Sequence, residues 1–337
     1  MREGLSVGPI SVRSRRRVLT MLLAGLVSPL LPARPAAAAS GDFATWLAGL
    51  RQEAIAQGIR PHSVARALQG VHEIPRVLEL DRRQPEGTLT LQQYLDRVVT
   101  PQRIESARQH LAENQGLLER IGRRYGVQPR FIVALWGLES DFGKVTGDFP
   151  VISALATLAY DGRRAALFRR ELIAAIRIVD RGFVEPQEMR GSWAGAMGQC
   201  QFMPSSYLEF AVSERADGRR DIWHRREDVL ASIANYLSRL GWQGSETWGR
   251  EVLAPAPLDR GLVGIAQRRP LAEWRRLGLR RLDGGELPVR PIEASLVMPD
   301  GEGGRAFLAY DNFRSILKWN NSSYFAISVG TLADAIE

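Results

Sequence analysis

The sequence predicts a mainly α-helical protein of α+β type: a helical body that carries one small β-containing subdomain. Three observations predict it. From Phe43 to about Leu240 apolar residues recur at spacings of three and four, as in Phe43, Leu47, Leu50 and Ala54 or Leu117, Leu118, Ile121 and Tyr125, the period of helices with a buried face. Beyond Arg250 the texture changes, because Pro255, Pro257, Pro270, Pro288, Pro291 and Pro299 break up any long helix. Within that stretch two short apolar runs flank a glycine-rich turn. With 337 residues, 45% hydrophobic and 24% charged, the chain has the balance of a folded protein and the length for one large core or two smaller ones.

Residues 1–39 read as an export signal. Arg13 to Arg17 supply the basic start, Val18 to Leu31 the apolar stretch, and Ala36-Ala37-Ala38-Ala39 the small-residue cleavage site. The apolar stretch is interrupted by Pro29 and is too short to span a bilayer. Ser14-Arg15-Arg16-Arg17-Val18-Leu19 also resembles a twin-arginine signal, with Val18 in place of the usual aromatic. This segment holds six Arg and one Glu, hence +5 of the net charge of +8, and leaves only +3 to the rest. A mature chain so mildly basic gives no general basic surface for nucleic acid, and none is expected as a partner. Cys200 is the only cysteine, so no intrachain disulfide can form and no lipoprotein cysteine follows the cleavage site. The expectation is a periplasmic protein without an integral membrane span.

Residues 40–250 form the helical body, by their period. Residues 251–312 form the β-containing subdomain: Ile292 to Met298 reads as a strand, Asp300-Gly301-Glu302-Gly303-Gly304 as a turn, and Ala306 to Tyr310 as the return strand. Residues 313–337 regain helical spacing from Trp319 to Ile336 through Tyr324, Ile327, Leu332 and Ala335, and are expected to pack back on the body.

The segment Gln128 to Gly143 carries the most chemistry. Pro129 suits a first helical turn and Gly143 the residue just past the last, and between them the helix is apolar almost all round, the mark of a buried helix. Glu139 sits in its final turn. Burial and the negative end of the helix dipole both disfavour a carboxylate, so both push its pKa up. A carboxylic acid protonated near neutral pH is the donor that a glycosidic leaving oxygen needs. The competing reading is a Glu paired with an Arg at the rim of the core.

A second segment, Gly191 to Tyr207, packs glycines, two amides and large apolar side chains into one loop before a helix. Glycines let a backbone approach a ligand, Gln199 and Gln201 can bond hydroxyl and acetamido groups, and Trp193, Phe202 and Tyr207 can line an apolar cleft. A tight core loop with satisfied amides is the alternative.

Taken together, Glu139-Ser140-Asp141-Phe142-Gly143, Tyr160-Asp161-Gly162-Arg163-Arg164, Gly195-Ala196-Met197-Gly198-Gln199-Cys200-Gln201-Phe202-Met203-Pro204-Ser205-Ser206-Tyr207, Ala234-Asn235-Tyr236 and Trp319-Asn320-Asn321-Ser322-Ser323-Tyr324 resemble the membrane-bound lytic murein transglycosylase B family (glycoside hydrolase family 103 type). They do so in order over nearly all of the mature chain. The resemblance implies a lysozyme-like helical catalytic core preceded by a helical region, and peptidoglycan glycan strands as the partner. It implies that one Glu protonates the oxygen between N-acetylmuramic acid and N-acetylglucosamine, then takes a proton from the muramoyl 6-hydroxyl as a 1,6-anhydro end closes. By matching motif Glu139 is that acid and base, and Gln199, Gln201, Phe202, Tyr236 and Asn320 are cleft candidates. Arg163 and Arg164 are candidates for the substrate's carboxylates, with surface ion pairing as the alternative.

Two departures from the family stand out. The stretch matching its EF-hand-like calcium loop, Ser213-Glu214-Arg215-Ala216-Asp217-Gly218-Arg219-Arg220-Asp221 with Asp228 beyond, has Arg215 where an oxygen ligand belongs, so no tight metal is expected. The lipidated cysteine is missing as well. No cofactor motif is present: Gly137 to Lys144 has five residues between its glycines and Val145 where a phosphate loop needs Ser or Thr. His62, His72, His110 and His224 show no zinc-ligand spacing. Two rival functions stay open here, a lysozyme-type hydrolase using Asp141, Asp161 or Glu185 as a second carboxylate, and a catalytically silent peptidoglycan-binding protein.

Overall fold

A computed structural model describes residues 42–83 and 89–337. The export signal read at residues 1–39 lies outside them. The helices are α1 (Phe43–Ala56), α2 (Pro61–Ala67), α3 (Pro75–Arg82), α4 (Leu91–Val98), α5 (Pro101–Glu113), α6 (Gln115–Tyr125), α7 (Pro129–Ser140), α8 (Val151–Asp161), α9 (Ala165–Asp180), α10 (Pro204–Phe210), α11 (Arg226–Arg239), α12 (Leu271–Arg276), α13 (Asp311–Trp319) and α14 (Ser323–Ala335). Proline opens α2, α3, α5, α7 and α10, where its missing N–H costs nothing and its fixed φ suits the turn. Asp42, Thr90, Thr100 and Ser322 cap α1, α4, α5 and α14 by accepting a backbone N–H of the first turn.

Helix α7 is the axis of the body. Every residue from Phe131 to Ser140 is buried, because α5, α6, α11 and α14 surround it, as its all-round apolar surface requires. Helices α8 and α9 form an antiparallel pair. On its far side α2 packs against α9 and α3 against α8, and the edge-on rings of Phe43 and Trp46 meet Tyr160 at 5.3 and 5.7 Å. A two-stranded ladder, β1 (Phe149–Pro150) with β2 (Arg190–Gly191), ties the start of α8 to the loop that leads to α10.

Five further strands, β3 (Gly249–Leu253), β4 (Arg268–Pro270), β5 (Arg280–Arg281), β6 (Glu293–Val297) and β7 (Ala306–Ala309), form an antiparallel sheet ordered β4-β6-β7-β3-β5. Strands β6 and β7 fall on the two apolar runs read as a hairpin. Strand β7 is buried at all four positions, and its side chains divide with the period of two. Phe307 and Ala309 join the core of the helical body, whereas Ala306 and Leu308 join a second core with Val252, Leu271, Trp274, Leu287 and Leu296. The sheet therefore lies between two cores, with α12 closing the outer one. Strands β3, β4 and β5 and helix α12 are too short or too charged to show a period in sequence.

Two boundaries differ from the sequence expectation. Helix α7 stops at Ser140, and the left-handed residue beyond it is Asp141 (φ 49°) rather than Gly143. The Asp141 N–H still reaches the Gly137 carbonyl at 3.0 Å, so the turn closes without waiting for a glycine. The C-terminal helical run is split, α13 ending at Trp319 and α14 starting at Ser323, because Asn320 is extended and the Ser322 hydroxyl accepts the Phe325 N–H at 3.3 Å. Helix α14 lies against α7, so the end of the chain does pack on the body. Among the described residues no helix is long and apolar enough to cross a membrane.

Candidate active site

Five carboxyl groups are buried among the described residues: Asp81, Glu139, Glu171, Asp221 and Asp228. Four of them each accept at least two hydrogen bonds from guanidinium, hydroxyl or backbone N–H groups of the chain. Asp81 accepts from Arg163 Nε at 2.9 Å and Arg164 Nη2 at 2.5 Å. Glu171 accepts from the backbone N–H and hydroxyl of Ser205 at 2.9 and 2.8 Å. Asp221 accepts the N–H groups of Trp223 and His224 at 3.0 and 2.9 Å, and Asp228 those of Glu214 and Asp221 at 2.7 and 2.9 Å. Glu139 differs. It is 5% exposed in the last turn of α7, and the neutral indole of Trp319 donates to its Oε1 at 2.6 Å. Burial pushes its pKa up to about 8, and the indole N–H opposes that rise.

The backbone beyond Glu139 is unusual. Non-glycine residues with positive φ among the described residues are Asp141 (49°), Phe142 (59°) and Gln201 (49°), all flanking this carboxyl in sequence or in the facing loop. Left-handed backbone costs a side-chain-bearing residue about 1–2 kcal/mol, so each needs local support. Ser140 supplies it on one side, its hydroxyl donating to the Gln199 carbonyl at 2.8 Å while accepting the Gly143 N–H at 3.0 Å. Gln199 supplies it on the other. Its Oε1 accepts from Trp136 Nε1 at 2.9 Å, its Nε2 donates to the Trp223 carbonyl at 2.8 Å, and its N–H donates to the Ile222 carbonyl at 2.8 Å. Glycine is required at 198, since φ is 60° and a Cβ would stand 2.7 Å from the Ile222 carbonyl oxygen.

An aromatic wall completes the site. Phe202 and Tyr236 meet the Trp319 ring at 5.2 and 4.5 Å, and each other at 5.5 Å. The Tyr236 hydroxyl donates to the Lys318 carbonyl at 2.8 Å, so its phenol is anchored at the end of α13. Gln201 donates through Nε2 to the Thr146 and Gly198 carbonyls at 3.0 and 2.8 Å. Asn320 follows Trp319 in the bend between α13 and α14.

The motifs read in sequence thus meet around one carboxyl: the end of α7, the glycine-rich loop, α11 and the α13–α14 bend. Gln199 has its carboxamide committed to the scaffold on both sides. Arg163 and Arg164, in the turn between α8 and α9, engage Asp81 of α3. Asp141 is paired with Arg103 and Lys144 at 3.7 and 3.8 Å, Asp161 with Arg82 at 2.8 Å and Glu185 with Arg66 at 3.4 Å, so each carboxylate considered as a second catalytic group faces cations.

Sequence reasoning missed two neighbours of Glu139. Trp319 was quoted within a motif without a role of its own. Tyr94 of α4 has its phenol pushed up to about 12 by burial first and then by the negative charge of Glu139, with Arg103 opposing. Tyr94 lies in an ordinary amphipathic helix and carries no signal that would single it out; Trp319, directly before Asn320, did.

In the loop spanning 213–228 the acidic side chains are engaged by the chain itself. Asp217 pairs with Arg225 at 2.7 Å, Arg215 pairs with Glu227, and Asp228 closes the loop through the two N–H groups given above. Cys200 is buried, and burial raises its thiol well above the ordinary range.

Comparison with known proteins agrees with this arrangement. Residues 42–334 match the model of the transglycosylase SLT domain. Membrane-bound lytic murein transglycosylase B of Escherichia coli K12 is 30% identical over 292 residues, which covers 85% of this chain and 77% of that one. SltB3 from Pseudomonas aeruginosa, solved in complex with NAG-anhNAM-pentapeptide, superposes with a TM-score of 0.84 at 43% identity, covering 88% of this chain and 80% of that one. The Escherichia coli lytic transglycosylase Slt35, solved in complex with calcium, superposes with a TM-score of 0.71 at 28% identity, covering 89% and 94%. The chain therefore belongs to the transglycosylase SLT domain family and, within it, to the peptidoglycan lytic transglycosylases of the murein transglycosylase B type.

Proposed function

We propose that this lytic transglycosylase cleaves the β-1,4 bond between N-acetylmuramic acid and N-acetylglucosamine with Glu139 as its single acid and base. The observation that carries the reading is the environment of Glu139: a buried carboxyl with its pKa raised to about 8, hydrogen-bonded by a neutral donor, at the meeting point of the aromatic wall and the glycine-rich loop. Such a group is protonated at neutral pH. It gives its proton to the glycosidic oxygen as the C1–O bond breaks, and the N-acetylglucosamine end leaves as an alcohol. The carboxylate left behind takes the proton of the muramoyl 6-hydroxyl, whose oxygen bonds to C1 of its own sugar. Atoms balance without water, the carboxyl returns to its starting state, and the product ends in 1,6-anhydro-N-acetylmuramic acid.

Phe202, Tyr236, Gln201 and Asn320 are the cleft residues of this reading, and Gln199 acts through the backbone it holds. The ligand named in the Pseudomonas structure, a disaccharide with an anhydro end and a pentapeptide, fits a cleft walled by rings and amides. No tight calcium is proposed for the loop at 213–228, where Arg215 stands in place of an oxygen ligand and pairs with Glu227 while Arg225 pairs with Asp217. The proposed compartment is the periplasm, where peptidoglycan lies and to which the signal at residues 1–39 would direct the chain.

Mass spectrometry of digested peptidoglycan tests the reaction type. Anhydro ends are expected; reducing ends, heavier by one water, would make the protein a hydrolase. Glu139→Gln tests the residue, with turnover expected to fall by about 10²- to 10⁴-fold. A variant with undiminished turnover would remove Glu139 from the mechanism, and an inactive parent protein that binds peptidoglycan would make it a binding protein.

A further inference from the structure

Each of the two oxygens of a carboxyl group can serve as proton donor, and acid/base catalysis is faster when one is fixed for that task. We propose that Trp319 is a positioning residue that holds Oε1 of Glu139 as a permanent acceptor, so that Oε2 is the oxygen that delivers and retrieves the proton. This rests on the reading of Glu139 as acid and base.

The geometry carries the assignment. The indole Nε1 stands 2.6 Å from Oε1, and an indole N–H can donate but never accept. In the neutral acid the carbonyl oxygen is the better acceptor, so the indole selects the tautomer with the proton on Oε2. The indole is itself held on several sides. The rings of Tyr236 and Phe202 contact it at 4.5 and 5.2 Å with tilts of 57° and 58°. The Tyr236 hydroxyl binds the carbonyl of the preceding residue, Lys318, at 2.8 Å, and the Ser322 cap of α14 fixes the chain three residues on. A ring so enclosed cannot turn to follow the carboxyl; the carboxyl must turn to it.

The contact also changes during the reaction. When Oε2 gives up its proton the acceptor becomes a carboxylate, and a hydrogen bond to an ionised acceptor is roughly twice as strong as one to a neutral group. Trp319 thereby supports the short-lived anion without the permanent positive charge of a Lys or Arg, which would ionise Glu139 before the substrate arrived.

Trp319→Phe keeps an aromatic ring against Tyr236 and Phe202 and removes the donor. Its maximal turnover is expected to fall by about 10- to 100-fold, the worth of one hydrogen bond to a charged group. The basic limb of its pH–rate profile should move to higher pH, because a bond favouring the carboxylate is gone. The second measurement leaves Trp319 in place: in ¹H–¹⁵N spectra of the full chain the Trp319 indole resonance should titrate with the midpoint of that basic limb, and should lose this titration in Glu139→Gln. An unmoved limb together with a pH-independent indole resonance would overturn the assignment and leave Trp319 as packing. Full activity of Glu139→Gln would instead overturn the acid/base reading underneath, an outcome the indole titration does not depend on.

Discussion

Replacing Glu139 by Gln removes an ionisable group from the core while keeping its shape and an acceptor for the Trp319 N–H. The consequence for stability follows from linkage. In the unfolded chain the carboxyl titrates at its ordinary 4.5, and in the folded protein at about 8. Between those values the folded state holds a proton that the unfolded state has released, so stability falls as pH rises across this window. The loss begins near the unfolded value, grows by about 1.4 kcal/mol per pH unit, and levels off above the folded one. Between about pH 5 and pH 9 it amounts to roughly 4 kcal/mol. Glu139→Gln abolishes this loss. Whatever the amide costs by its own imperfect burial applies equally at both pH values and cancels in the comparison. Urea unfolding of parent and variant at the two pH values should therefore show the variant gaining on the parent by several kcal/mol at the alkaline end. A difference between the two proteins that is the same at both pH values would mean that Glu139 ionises normally, and the reasoning about its environment would be refuted.

The other expectations concern groups around the site. Asp81→Ala strands Arg163 and Arg164, whose side chains are 50% and 27% exposed, so it should cost roughly 1–3 kcal/mol in urea unfolding and leave KM for glycan strands unchanged; a raised KM at unchanged stability would assign these arginines to the substrate. Asp141→Asn removes the partner of Arg103 and Lys144 and should shift the basic limb of the pH–rate profile downward, since unmasked cations favour ionised Glu139; an upward or absent shift would contradict this. Calorimetric titration with calcium should detect no micromolar binding to the loop at 213–228, and a chelator should leave melting temperature and turnover where they were.

The helical body, the hairpin and the burial of Glu139 were legible because each rests on a local rule. A helix apolar on every face has to be buried, and a carboxyl in its last turn has to be buried with it. Two apolar runs around Asp300-Gly301-Glu302-Gly303-Gly304 have few alternatives to a hairpin. Strands β4 and β5 escaped because they consist of arginine and proline, and β3 because its five residues show scarcely a period; β4 pairs on β6, β3 on β7 and β5 on β3. Gln199 and Gln201 were indistinguishable for a related reason. Two amides one residue apart in an irregular loop have no periodicity to assign their faces, and only the folded chain shows that the Gln199 carboxamide bonds Trp136 and Trp223 while that of Gln201 bonds Thr146 and Gly198. The pairing of Arg163 and Arg164 with Asp81 was not legible, because Asp81 lies about eighty positions earlier in an unremarkable helix.

The polar groups that hold Glu139 and the backbone around it share one property that explains why burial can act on it so strongly. Trp319, Trp136, Gln199 and Ser140 are all neutral, yet together they satisfy the carboxyl, the end of α7 and the facing loop. A cation in the place of Trp319 would have met the same need for a donor at lower desolvation cost to the carboxylate, and would have brought its pKa back toward the ordinary range. The nearby cations, Arg103 and Lys144, face Asp141 instead. An acid that stays protonated at neutral pH thus depends on two arrangements at once: apolar burial that makes charge expensive, and a framework of neutral donors that fixes the geometry without making charge cheap again.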